Sequence, residues 1–127
     1  SVIPTDNPNV VNIDRKGLMS ALRRVLPFAS ESTQLVKLRL TPNNLELSSE
    51  DIDFATAAHE NLVCDYNGAQ MSIGFKGSAI FDILNNLNSD SVSIELGDPS
   101  RAGVIRPTEQ PENEDVLMLI MPMLLSE

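Results

Sequence analysis

Along most of this chain apolar and polar residues alternate with a period of two, and in two places the spacing lengthens to that of a helix. The first helical stretch is DRKGLMSALRRVLPF, residues 14–28. Asp14 is a good N-cap, Leu18, Leu22, Val25 and Leu26 recur on one face, and Pro27 closes the helix. A short strand, VVNI at 10–13, precedes it. Strands follow at VKLRL (36–40) and LELSS (45–49), joined by turn chemistry at 42–44, and at FATAAHENLVCDY (54–66), which is long enough to need a bend. After the turn at Asn67-Gly68 comes a strand, QMSIG (70–74), and a helix, FKGSAIFDILNNLN (75–88), with Ile80, Ile83, Leu84 and Leu87 on one face. Three strands complete the second half: SVSIEL (91–96), AGVIRP (102–107) and DVLMLIMP (115–122), the last two separated by the acidic loop TEQPENED.

The order strand, helix, strand, strand, strand thus occurs twice. The predicted class is α+β: a single domain over 1–127 built from a duplicated β-α-β-β-β unit, about 10–66 and 70–123, with two helices on one face backed by antiparallel sheets. The copies align as NIDRKGLMSAL against SIGFKGSAIFDIL, with Ile13 and Ile73, Lys16 and Lys76, and Gly17 and Gly77 each sixty apart. On that alignment Lys76 is the counterpart of Lys16.

At 127 residues the chain can bury a core without staples. Its single cysteine, Cys64, reads as a small buried hydrophobe and fits a reducing compartment. The opening SVIPTDNPNV has neither a basic nor an apolar signal region, and its abrupt Val-Ile-Pro start reads as the beginning of a piece of a longer chain. Val116 to Leu125 are ten consecutive apolar residues, about half of the ~20 that a membrane span needs. The expectation is a cytoplasmic protein without membrane contact. A bare apolar tail is an aggregation hazard, so whatever covers it bears on function.

The net charge of −9 disfavours simple nucleic-acid binding, yet four of the nine basic residues, Arg15, Lys16, Arg23 and Arg24, fall in DRKGLMSALRR with no acid between them. At about 100° per residue they gather on the arc opposite the apolar one. If both helices present lysine to the same side, the acids of the strand layer do not cancel that field. Without interleaved aromatics any nucleic-acid contact would read phosphates only, in a weak, salt-sensitive and sequence-blind way.

No enzyme constellation is present. His59 and Cys64 lie at opposite strand parity, and Glu50, Asp51 and Asp53 lack the ligand ladder and glycine of a calcium loop. No glycine-rich phosphate loop occurs, and no cofactor or metal is expected.

DYNGAQMSIGFKGSAIFDILNNL followed by SVSIEL, together with the ending LIMPML, closely resembles the C-terminal, third domain of the bacterial sliding clamp, the beta subunit of DNA polymerase III. SVIP resembles the linker entering that domain. The resemblance covers essentially the whole chain. It implies a DNA-clamp domain, one of three in a subunit, and a head-to-tail homodimer ring with helices lining the hole and sheets outside. It also implies a non-enzymatic processivity factor in the bacterial cytoplasm, associated with the nucleoid, that slides on double-stranded DNA. DNA polymerase, the clamp loader and repair proteins would bind it through short linear motifs in a hydrophobic cleft.

Carried over by position, the cleft takes Val2, Lys76, Ala79, Ser100 and Ala102, with Leu119, Ile120, Met121, Pro122, Met123 and Leu124 from the tail. The same resemblance makes Arg15, Lys16, Arg23, Arg24 and Lys76 DNA-facing and puts Pro27, Phe28 and the strand from Phe54 to Asn61 at the subunit interface. For Phe28, burial in the domain's own core is the alternative. Lys76 stands where the family commonly has Asn, Ala79 where it often has Tyr, and Leu124 where Arg is usual, which implies a more open, more apolar pocket. Two other readings remain at this point. One is a stand-alone peptide-binding module without a DNA role; the other is a small hydrolase acting through residues such as His59 and Asp82.

Overall fold

The computed structural model describes residues 8–51, 53–108 and 117–123; Val2, Leu124 and most of the acidic loop lie outside them. The elements run β1 (Asn9–Asp14), α1 (Arg15–Val25) with a 3-10 turn at Leu26–Phe28, β2 (Leu35–Thr41), β3 (Asn44–Asp51), β4 (Thr56–Val63) and β5 (Asp65–Tyr66). The second half runs β6 (Met71–Lys76), α2 (Gly77–Asn85), β7 (Ser91–Leu96), β8 (Gly103–Pro107) and β9 (Met118–Ile120).

Two antiparallel sheets form, one in the order β4-β3-β2-β6 and the other β5-β1-β7-β8-β9. Each therefore takes a three-strand meander from one half and the first strand of the other half, and the five-stranded sheet adds β5, also from the first half, beyond β1. This exchange places the hydrophobic alternation of both halves around one core. Val36, Leu38 and Leu40 of β2, Leu45 and Leu47 of β3, Val92, Ile94 and Leu96 of β7, and Leu18, Leu22, Ile80 and Leu84 of the helices are all buried in a single cluster.

The strand ends fix how the halves correspond. β1 ends with Asp14 opposite Ser91, and the Arg15 amide donates to the Asp90 carbonyl at 2.8 Å. β6 ends with Lys76 opposite Leu35, and the Gly77 amide donates to the Gln34 carbonyl at 2.8 Å. Arg15 is thus the counterpart of Gly77, two residues beyond the sixty-residue alignment, and Lys76 corresponds to Asp14 rather than to Lys16. The second helix begins correspondingly later than expected, because Phe75 and Lys76 still belong to β6.

The long strand expected over 54–66 is two strands in two sheets, divided at Cys64. Asn43, with φ 56 in the hairpin between β2 and β3, joins them: its carbonyl accepts from Cys64 N at 3.2 Å and its amide donates to Tyr66 O at 3.0 Å. Asn is among the few residues that adopt this left-handed geometry cheaply. α1 ends above β3, where the buried Ser49 hydroxyl donates to the Val25 carbonyl at 2.6 Å and satisfies one of the orphan acceptors of a helix C-terminus.

Candidate functional site

Two surfaces carry the residues singled out by the sequence. On the helix side, α1 starts at Asp14, whose carboxylate accepts from Gly17 N at 2.7 Å, and it buries Leu18, Ala21, Leu22 and Val25. The remaining arc holds the four cations, each in a different situation. Arg15 is half-buried and turned toward α2: Nε donates to the Ser89 carbonyl at 2.7 Å and a terminal nitrogen donates to the Leu84 carbonyl at 2.9 Å. It therefore neutralises the C-terminal end of α2, where the helix dipole favours a cation. Arg23 lies over the Phe81 ring of α2, 5.3 Å from its centre. Arg24 pairs with Glu60 of β4 at 2.9 Å, and this hydrogen bond holds the Glu60 carboxyl below its ordinary range. Lys16 is exposed and has no ion pair among the described residues.

Two expectations are corrected here. An acid of the strand layer, Glu60, does reach the helix cations. The exposed arc of α2 carries Asp82 and Asn85 rather than a lysine equivalent to Lys16, because Lys76 is the residue that precedes the helix. Between the two helices, the positive arc belongs to α1.

The second surface is the seam where the tail crosses between sheets. β9 pairs with β8, with Ile120 opposite Gly103, and the chain then runs on until Met123 N donates to the Gly74 carbonyl of β6 at 2.7 Å. The tail is thus tied by main-chain bonds to the edge strands of both sheets. Its floor is apolar. A Cβ placed on Gly103 would lie 3.0 Å from Leu96 Cδ2 and 3.5 Å from both Ile120 Cγ2 and Phe75 Cζ, so side chains from β6, β7 and β9 converge there. Glycine at 103 admits that convergence. Ile120 is buried, Leu119, Pro122 and Met123 are half-buried, and Met121 is 68% exposed.

Several residues singled out from the sequence belong to the elements and loops that adjoin these strands in the chain. Lys76 is exposed two positions beyond Gly74, Ala79 is half-buried in the first turn of α2, and Ala102 is half-buried next to Gly103. Ser100 is exposed in the β7-β8 loop, its hydroxyl and amide both donating to Asp98, which holds that carboxyl below its usual range.

Pro27 and Phe28 are exposed in the 3-10 turn, Phe28 by 41%, so it is not a core residue. The Phe28 carbonyl accepts from Thr56 Oγ1 at 3.5 Å, beside the outer edge of β4 and the exposed Phe54. His59 is exposed on β4, and burial pushes the Cys64 thiol up, which disfavours a thiolate. Sequence reasoning missed the Arg15 link, the Arg24–Glu60 pair and the place of Phe75 in the seam floor. Only the last left a trace, since Phe75 continues the alternation of QMSIG.

The sequence matches the family described as DNA polymerase III beta subunit, C-terminal domain, over residues 1–124. The beta sliding clamps of Pseudomonas putida and Haemophilus influenzae are 26% and 29% identical to the chain, each over 98% of it and 33% of their own length. Among solved structures, a Pseudomonas aeruginosa DNA polymerase sliding clamp with ligand superposes with a TM-score of 0.91 at 26% identity, over 98% of this chain and 33% of that one. A Bartonella birtlesii sliding clamp bound to griselimycin superposes at 0.90 with 28% identity, over 98% and 32%. The chain spans about a third of the length of these relatives. By the match over nearly all of its residues, it belongs to the family of the C-terminal domain of the DNA polymerase III beta subunit.

Proposed function

We propose that this protein acts as one clamp domain of a bacterial processivity factor, a non-enzymatic accessory of DNA polymerase working in the cytoplasm. The observation that carries this reading is the match over residues 1–124 to the C-terminal domain of the polymerase III beta subunit, on a fold whose tail closes an apolar seam between two sheets. In this reading Lys16, Arg23 and Arg24 of α1 face the phosphates of duplex DNA and attract them without reading sequence. Arg15 and Lys76, although in the set expected to face DNA, have other work: one holds α2 and the other borders the seam.

The seam, with Lys76, Ala79, Ser100, Ala102 and Leu119 to Met123, accepts short apolar motifs of polymerase, clamp loader and repair proteins; Val2 and Leu124 belong to the proposed set by position in the sequence. Burying about 300 Å² of apolar motif surface there supplies a gross ~7 kcal/mol. Ordering the peptide reduces that to micromolar binding. Phe28, Phe54 and the open edge of β4 form the contact with a neighbouring subunit in a ring homodimer.

The test is charge reversal at Arg23 and Arg24, to Glu, in the whole clamp subunit that carries this domain. The expected result is a loss of polymerase processivity with the fold retained. Unchanged processivity would contradict the DNA-facing role of α1.

A further inference from the structure

The outward face of the four-stranded sheet carries cations right beside the point where the tail joins it. Gly74, which accepts the hydrogen bond from Met123, stands opposite Lys37 in the ladder between β2 and β6. Lys76 lies two residues further along β6, and side chains two apart in a strand share a face. Adjacent strands lie about 5 Å apart, so both ammonium groups fall within side-chain reach of anything seated along the tail. Lys76 is exposed and Lys37 half-buried, and neither has an ion pair among the described residues.

The nearest acids on the same face, Glu46 and Glu50, belong to β3, one strand further from the tail. Glu46 stands opposite Arg39 rather than Lys37. In a chain of net charge −9, two unpaired cations beside an apolar seam are a local exception.

We propose that Lys37 and Lys76 select partner peptides, favouring motifs in which the apolar anchors are flanked by a carboxylate. This rests on the reading of the seam as a peptide site and adds to it the chemical class of the peptide. The apolar anchors supply the affinity, and the lysines discriminate among anchors that are otherwise alike. Exposed ion pairs are individually weak and screened by salt, so the preference is modest and disappears at high ionic strength.

The test compares two fluorescent peptides with the same Leu and Phe anchors, one with a flanking Asp and the other with Asn there, titrated by anisotropy into the purified protein. At low salt the Asp peptide is expected to bind about threefold to tenfold more tightly. The difference should shrink in 0.5 M salt, to about twofold or less. In the double variant Lys37→Gln, Lys76→Gln the ratio of the two affinities is expected to fall to one, whether or not the shared affinity changes. Because the Asn peptide reports the seam independently, a folding defect in the variant would be visible as loss of both.

Equal, saturable binding of the two peptides to the unaltered protein would overturn the charge preference and leave the seam as a peptide site. A preference that survives the double substitution would overturn the assignment to these lysines. Absence of binding by either peptide at millimolar concentration would overturn the peptide-site reading and this inference with it.

Discussion

The two halves of this protein share one topology and finish it differently. In the first half the meander β2-β3-β4 stops at an open edge, where β4 has no further partner among the described residues and Val63 is 89% exposed. In the second half the meander β7-β8-β9 ends in a short strand, and the chain crosses over to bond β6. In both halves the chain then leaves the meander for the other sheet, β5 to pair with β1 and Met123 to bond β6. The difference is that β4 is eight residues long with Val63 in solvent, whereas β9 is three residues long and leads into an apolar tail over a buried floor. The helices diverge in the same way: α1 is side-chain capped and cationic, whereas α2 starts at Lys76 without a side-chain cap and is held at its far end by Arg15. A duplicated unit can therefore supply two unlike surfaces, because the burial pattern fixes the core while the ends and exposed arcs vary.

The largest expected effect comes from breaking the floor beneath the tail. Phe75→Ala removes a fully buried ring from the seam floor and is expected to destabilise the fold by about 3–5 kcal/mol in urea unfolding. Val63→Ala, at the end of the open edge strand β4, should change stability by less than about 0.5 kcal/mol, since its side chain is already in water.

Next comes the link between the halves. Arg15→Met forfeits two charge-assisted bonds, one to Leu84 at the end of α2 and one to Ser89 in the segment that follows it, and is expected to cost about 1–3 kcal/mol. It should leave the salt dependence of duplex binding unaltered, whereas Lys16→Gln should reduce the slope of log K against log salt by about one without loss of stability. If Arg15→Met instead weakened binding with stability intact, its role as a cap on α2 would be wrong.

A smaller effect separates the helix starts. Asp14→Ala should cost about 1 kcal/mol through loss of the cap to Gly17, and Lys76→Ala, at the corresponding position, should cost almost nothing. Equal losses would mean that the correspondence between the halves is misdrawn.

The smallest effect is electrostatic. Glu60 has a lowered pKa because of Arg24, so its contribution is present above the ordinary carboxylate range and disappears as the pH falls through the folded-state value. Both groups are solvent-exposed. The stability difference between the protein and Glu60→Gln should therefore be slight at neutral pH, smaller still below about pH 4, and erased by salt.

How far the sequence alone discloses this follows from parity. Alternation located nearly every strand because one face of each sheet is buried. It could not see the break at Cys64, since Leu62, Cys64 and Tyr66 keep the same parity through the passage from one sheet to the other. Nor could it distinguish an offset of sixty from one two residues longer, because both preserve the inward set. Only the hydrogen bonds of Arg15 and Gly77 resolve that. The cationic arc of α1 was legible from spacing, but its distribution among Leu84, Phe81 and Glu60 depends on tertiary neighbours that no local pattern encodes. The seam was signalled by the apolar tail; alternation marked Phe75 as inward-facing, but that it meets Leu96 and Ile120 across Gly103 was encoded by nothing local, since the three come from distant parts of the chain.

The most direct test of the contrast between the exposed strand β4 and a receptive seam beside the tail is a titration of the isotopically labelled protein with a short Gln-Leu-x-Leu-Phe peptide, followed through backbone amide shifts. The account predicts saturable shifts confined to Gly74 through Ala79, Ala102, Gly103 and Leu119 through Met123, with β4 unmoved. Shifts centred on β4, or none at millimolar peptide, would contradict it.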